Sequence, residues 1–206
     1  MTPSLPARDP GGHKGTFGTV AVVGGSAHAV GPKPTDGLHM LGGPCFAATA
    51  ALRSGAGLAR LVLPEPLVDA GLAIAPSATG IALAVDERGD IVGHEAARVL
   101  DRVVAEADCL VVGPGLGTRD GACACVVRAV QQERIPVVID ADALNCLALV
   151  PEVQRDFHAA AVLTPHPGEF AHHTGTCAVA RAEPGPHDQT VRFGNDAVQN
   201  TGRLVA

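Results

Sequence analysis

The sequence predicts an α/β protein with a mostly parallel central sheet and helices on both faces. Short apolar or β-branched runs alternate with helical patterns along the chain, and Gly, Asp, Asn and His cluster just after those runs. Parallel strands need long crossover connections, usually helices. In an open sheet of this kind, ligands bind outside the carboxyl ends of the strands. The 25 Gly and 16 Pro in 206 residues, together about a fifth of the chain, are too many for a helical bundle and ordinary for a loop-rich α/β protein.

Residues 19–23 (TVAVV) read as a buried strand that stops at Gly24-Gly25-Ser26, and the Gly/Pro/His-rich stretch 27–41 reads as a loop. Residues 45–54 (CFAATAALRS) predict a helix closed by Gly55-Ala56-Gly57. A strand over 58–63 is closed by Pro64 and Pro66, and 81–85 with 91–92, joined by DERGD, suggest a hairpin. Ala96, Leu100, Val103, Val104 and Ala107 share one helical face. Strand 110–112 then leads into GPGLG (113–117), helix 119–133, strand 136–139, DADALN (140–145), strand 160–163 and TPHPGE (164–169). No internal repeat is visible.

Composition removes several classes of function. A net charge of −6 and five Phe as the sole aromatics argue against a nucleic-acid surface, which needs a basic face and usually stacking rings. No apolar run approaches the roughly 18–20 residues of a membrane span. Charges, prolines and glycines fill the first fifteen residues, where a signal peptide would be apolar. Cys45, Cys109, Cys123, Cys125, Cys146 and Cys177 contain no C-x2-C pair and read as buried free thiols of a cytoplasmic protein. Cys123 and Cys125 lie two apart in a helical pattern and point away from each other.

Three strand-end motifs carry chemistry. In GPGLG the glycines permit positive φ and close backbone approach, and the helix start after it could hold an anion; a tight turn without a ligand is the alternative. In DADALN, Asp140 and Asp142 could hold a hydrated cation, or Asp142 could cap the following helix. Asp140 and Asn145 have no evident structural role. In TPHPGE two prolines fix the backbone around His166 and present its imidazole, while Glu169 in the first helical turn suits the helix dipole. His172, His173, Cys177 and His187 match no zinc spacing.

HKGTFGTVAVVGGS (13–26), GGPCFAATAALRSGAGLARLVLPEP (42–66), GPGLG, PVVIDADALN (136–145) and LTPHPGEF (163–170), in this order, resemble the ADP/ATP-dependent NAD(P)H-hydrate dehydratases. That family is related to carbohydrate kinases and has a ribokinase-like fold. The resemblance runs from His13 to Phe170. It implies repair of hydrated NADH or NADPH: ADP or ATP phosphorylates the added hydroxyl with Mg2+, and phosphate then leaves. It implies that Gly43, Gly115, Gly117 and His166 contact the hydrated cofactor, and that Asp140, Asn145 and Glu169 organise phosphate, water and metal. The expected partner is therefore a small-molecule nucleotide, with no nucleic acid and no membrane; self-association stays open.

The family continues with a KGxxT-type nucleotide motif and a GTGD-type helix start whose Asp activates the hydroxyl. Residues 171–206 contain neither, so 1–170 reads as the N-terminal portion of the domain, with its C-terminal part missing, and 171–206 as an irregular tail. No catalytic base is assigned. Truncation or frame-shift, a non-catalytic nucleotide-binding relative, and a motif supplied by a partner chain are the competing accounts. A small-molecule kinase of the same superfamily is a further alternative. An exposed sheet edge follows from each.

Overall fold

The computed structural model describes residues 8–29, 37–151, 153, 157–167 and 169. Eight strands and five helices follow in order: β1 (Thr19–Val23), β2 (Ser26–Ala29), β3 (Gly37–Met40), α1 (Gly42–Ser54), β4 (Leu58–Pro64), α2 (Val68–Ile74), β5 (Thr79–Leu83), α3 (Gly93–Glu106), β6 (Cys109–Val112), α4 (Asp120–Gln131), β7 (Val137–Ile139), α5 (Asp142–Leu149) and β8 (Ala161–Leu163).

Six strands form one sheet in the order β5-β4-β1-β6-β7-β8, and every pairing in it is parallel. The register aligns Val23 with Val112, Val112 with Ile139, and Ile139 with Leu163. These four residues are the last of their strands. The GGS, GPGLG, DADALN and TPHPGE segments therefore leave the sheet from a single row, as the sequence predicts for a site at the strand ends.

Successive strand residues point to opposite faces, and the two faces bury separate cores. Ala21 and Val23 pack with α3, α4 and α5, whereas Val22 packs with Cys45 and Ala48 of α1. The predicted stripe of α3 is buried along its length, from Ala96 through Leu100 and Val103 to Ala107. Full burial of a leucine such as Leu100 stabilises the fold by about 2 kcal/mol.

Several expectations are corrected. The stretch 27–41 is not simply a loop: β2 and β3 pair antiparallel, Ser26 opposite Met40. Helix α1 starts at Gly42 rather than Cys45, because Gly42, Gly43 and Pro44 occupy its first turn, where Pro44 needs no intrahelical N–H partner. Helix α2 had no counterpart in the sequence reading. The 81–85/91–92 hairpin reduces to one antiparallel bridge, Val85 with Ile91, because residues 79–83 join β4 in the main sheet. Among the described residues β8 ends the sheet, and no helix is long and apolar enough to cross a membrane.

The described cysteines are free thiols. Burial pushes the Cys125 thiol up to about 12. Cys123, two residues away on α4, donates instead to the Thr118 carbonyl (3.5 Å). Cys177, His172, His173 and His187 lie outside the described residues.

Candidate functional site

The site is a junction of backbones before it is a set of side chains. Gly113 follows β6 at φ 123°, and a Cβ there would lie 1.8 Å from the Asp140 carbonyl oxygen. No residue but glycine fits that turn. The Gly25 N–H donates to the Pro114 carbonyl (3.0 Å), tying the GGS turn to GPGLG. A Cβ at Gly43 would lie 3.1 Å from Pro114 Cβ, so the start of α1 also packs on this loop.

Asp142 holds the far end of the loop. Its carboxylate accepts the Gly117 N–H at 2.9 Å, and Gly117 stands at φ 78°. The expectation that Asp142 caps α5 is therefore corrected. Asp142 is the first residue of α5, Ala141 precedes it as the cap position, and no side chain caps that end. Ala141 has φ 50° and ψ −121°, and the Ala143 N–H donates to the Asp140 carbonyl (3.1 Å). An alanine in that conformation stores roughly 1–3 kcal/mol of backbone strain.

The helix start that follows GPGLG lies a few residues further on. Helix α4 does not follow directly. Its cap position is Arg119, and Asp120 supplies a negative charge to its own first turn.

On the other side of the row, Thr164 donates its hydroxyl to Asp140 Oδ1 at 2.6 Å, linking the ends of β7 and β8. Past it, His166 and Glu169 form a reciprocal pair. The His166 N–H donates to Glu169 Oε2 (3.0 Å), and the Glu169 N–H donates to His166 Nδ1 (3.3 Å). This is a capping box built with histidine. With Nδ1 accepting, the ring proton belongs on Nε2, which lies 3.1 Å from Glu169 Oε1. The His166 side chain is 68% exposed and that of Glu169 is 8% exposed. The histidine thus meets solvent while the glutamate beneath it sets the ring.

The structure brings Gly43, Gly115, Gly117, Asp140, His166 and Glu169 to one edge of the sheet. Asn145 sits one turn into α5, half-buried. A cavity of about 250 Å3 opens beside this edge, lined by residues that include Ser26, Met40, Asp90, Gly117, Arg119 and Asp142. Of the residues expected to contact ligand, Gly117 reaches its wall. Sequence reasoning placed the segments that hold Ser26, Ala141 and Thr164 at this edge but gave these three residues no role, and it missed the Arg119–Asp90 ion pair at 2.7 Å. Ser26 and Thr164 carried a signal, since each stands just past a predicted strand. The ion pair, 29 residues apart in the chain, carried none.

Among the described residues no three His, Cys, Asp or Glu side chains converge as a protein-held metal site needs. A magnesium ion carried on nucleotide phosphates needs only one or two protein carboxylates. Asp140 uses Oδ1 toward Thr164, and its Oδ2 accepts no hydrogen bond among the described residues.

Residues 37–205 match the family model for NAD(P)H-hydrate dehydratase. The chain belongs to that family. It is 37% identical over 191 residues to the ADP-dependent (S)-NAD(P)H-hydrate dehydratase of Xanthomonas campestris, covering 92% of this chain and 58% of that protein. It is 35% identical over 175 residues to the bifunctional NAD(P)H-hydrate repair enzyme of Moorella thermoacetica, covering 84% of this chain and 31% of that one. The crystal structure of the Bacillus subtilis ADP/ATP-dependent NAD(P)H-hydrate dehydratase, co-crystallised with ATP and Mg2+, superimposes with a TM-score of 0.57 at 28% identity. That superposition covers 83% of this chain and 51% of the other. The chain thus spans about half the length of that solved structure. The matched stretch of this NAD(P)H-hydrate dehydratase relative includes 171–205, which lie outside the described residues.

Proposed function

We propose that the strand ends of this chain bind hydrated NADH or NADPH, the substrate of ADP- or ATP-dependent dehydration, in the cytoplasm, and that the chain alone does not complete that reaction. One observation carries the reading: the register ends four strands on one row, so GGS, GPGLG, DADALN and TPHPGE share one edge.

Hydroxide is a poor leaving group and phosphate a good one, so phosphorylating the added hydroxyl moves the barrier to phosphoryl transfer. That step runs on positioning and charge neutralisation. In this reading the backbones at Gly43, Gly115 and Gly117 give the substrate a surface without side chains, which a ligand approaches closely. His166, held by Glu169, presents its exposed imidazole to the substrate. Asp140 would hold magnesium, which neutralises phosphate charge when bound, and Asn145 supplies an amide at the same edge. The family match continues through 171–205, past the ribokinase-like portion read from 1–170. No described residue is assigned as the base.

Calorimetry on the 206-residue chain with NADH hydrate and with ADP tests this. The expected result is binding of the hydrate without ADP-dependent release of NADH. Absence of hydrate binding removes the reading. Robust turnover by the chain alone keeps the reading and sinks the missing base.

A further inference from the structure

The wall of the cavity beside the strand ends includes one residue, Ser26, whose buried hydroxyl the roles above leave unused. Ser26 is 6% exposed, and its Oγ has no hydrogen-bond partner among the described residues. Buried hydroxyls are almost always paired, so each exception calls for an explanation. Ser26 opens β2 opposite Met40 and lines the cavity together with Gly117 and Asp142.

The wall of that cavity is acidic. Asp142 spends its carboxylate on the Gly117 N–H, a neutral donor, and so keeps its charge. Asp90 neutralises Arg119, the single basic side chain on the wall among the described residues. A phosphate entering there would meet net negative charge, whereas an uncharged group with carbonyl or hydroxyl oxygens would not. At about 250 Å3 the space is also smaller than the roughly 300–1,000 Å3 of sites that take drug-sized ligands. It suits one nucleoside portion and not a whole dinucleotide.

The geometry points to Ser26 as a positioning residue that donates its hydroxyl to an oxygen of one nucleoside portion of the bound dinucleotide, with the phosphates lying outside the cavity. This rests on the proposed binding of hydrated NADH or NADPH. It adds which portion of that ligand enters the cavity, and which side chain registers it.

The test is Ser26→Ala, read by thermal melting without ligand and by calorimetry with NADH hydrate and with inorganic pyrophosphate. A hydroxyl kept for ligand is no loss to the empty protein, so its melting temperature stays level or rises. Affinity for the hydrate falls about threefold to tenfold, the scale of one neutral hydrogen bond. Pyrophosphate behaves identically with both proteins. A lower melting temperature for the empty variant assigns Ser26 a structural role and overturns the inference. Unchanged hydrate affinity overturns it too, while leaving the functional reading intact. A pyrophosphate response that depends on Ser26 places phosphate in the cavity and likewise overturns it. Failure of the wild-type chain to bind the hydrate counts against the functional reading itself.

Discussion

The two halves of the strand-end row are built on different principles. Between β6 and β7, GPGLG and DADALN interlock through backbone: Gly113 sits where a Cβ would strike the Asp140 carbonyl, and Gly117 hangs from Asp142. Beyond β8, TPHPGE is held by a local box between His166 and Glu169, with the imidazole facing solvent. The first half has no room for a side chain at Gly113, and a change there strains the backbone contact that joins the ends of β6 and β7. In the second half Thr164 makes the tie to Asp140, and the His166 side chain beyond it is exposed, so that side chain can be changed with little effect on the sheet. Chemistry that needs a replaceable, exposed group belongs on the second half. A surface that a ligand's backbone-close contacts must trust belongs on the first.

The largest expected effect follows from that rigidity. Gly113→Ala puts a methyl group 1.8 Å from the Asp140 oxygen at a φ of 123°. Steric conflict and backbone strain together should cost at least about 3 kcal/mol. Urea unfolding followed by circular dichroism measures it. A shift under 1 kcal/mol would mean the junction is pliable, and the contrast between the halves would collapse.

A smaller effect of opposite sign is expected on the other side of the same junction. Ala141 occupies φ 50°, ψ −121°, a conformation natural to glycine. Ala141→Gly should therefore stabilise the chain by about 1 kcal/mol, the relief of strain outweighing the added freedom of the unfolded chain. The same urea experiment decides it. A loss of stability would show that the strain is not stored at this turn.

How legible all this was in the sequence depends on the range of the forces involved. Strands β1 and β6 were plain because TVAVV and LVV are apolar runs cut off by glycine, and α3 because its apolar stripe repeats at the helical period. Residues 79–83 misled because a real local turn follows them: Asp86 accepts N–H bonds from Arg88 and Asp90. That turn suggests a hairpin, yet the strand's partner is β4, chosen by sheet packing across the fold. Helix α2 is only seven residues long with a glycine inside, too short to show a period. At the site, the motifs were readable but their connections were not. Asp142 looked like a cap because caps are local, whereas its real partner, Gly117, lies 25 residues away. The hairpin of β2 and β3, which brings Met40 to the cavity wall, hid in a stretch with no alternation.

The smallest expected change in stability completes the comparison from the other half. In the His166–Glu169 box the histidine Nδ1 does what an asparagine oxygen does at a helix start: it accepts the N–H three residues on. His166→Asn should therefore keep the cap and alter stability by no more than about 0.5 kcal/mol. It removes the exposed imidazole, however, and with it the group assigned to the substrate. Weakened binding of NADH hydrate at unchanged stability, from calorimetry and urea unfolding on one preparation, is the expected pair of results. Stability lost at unchanged binding would reverse the assignment and make His166 a structural residue, leaving the exposed half of the row without a chemical purpose.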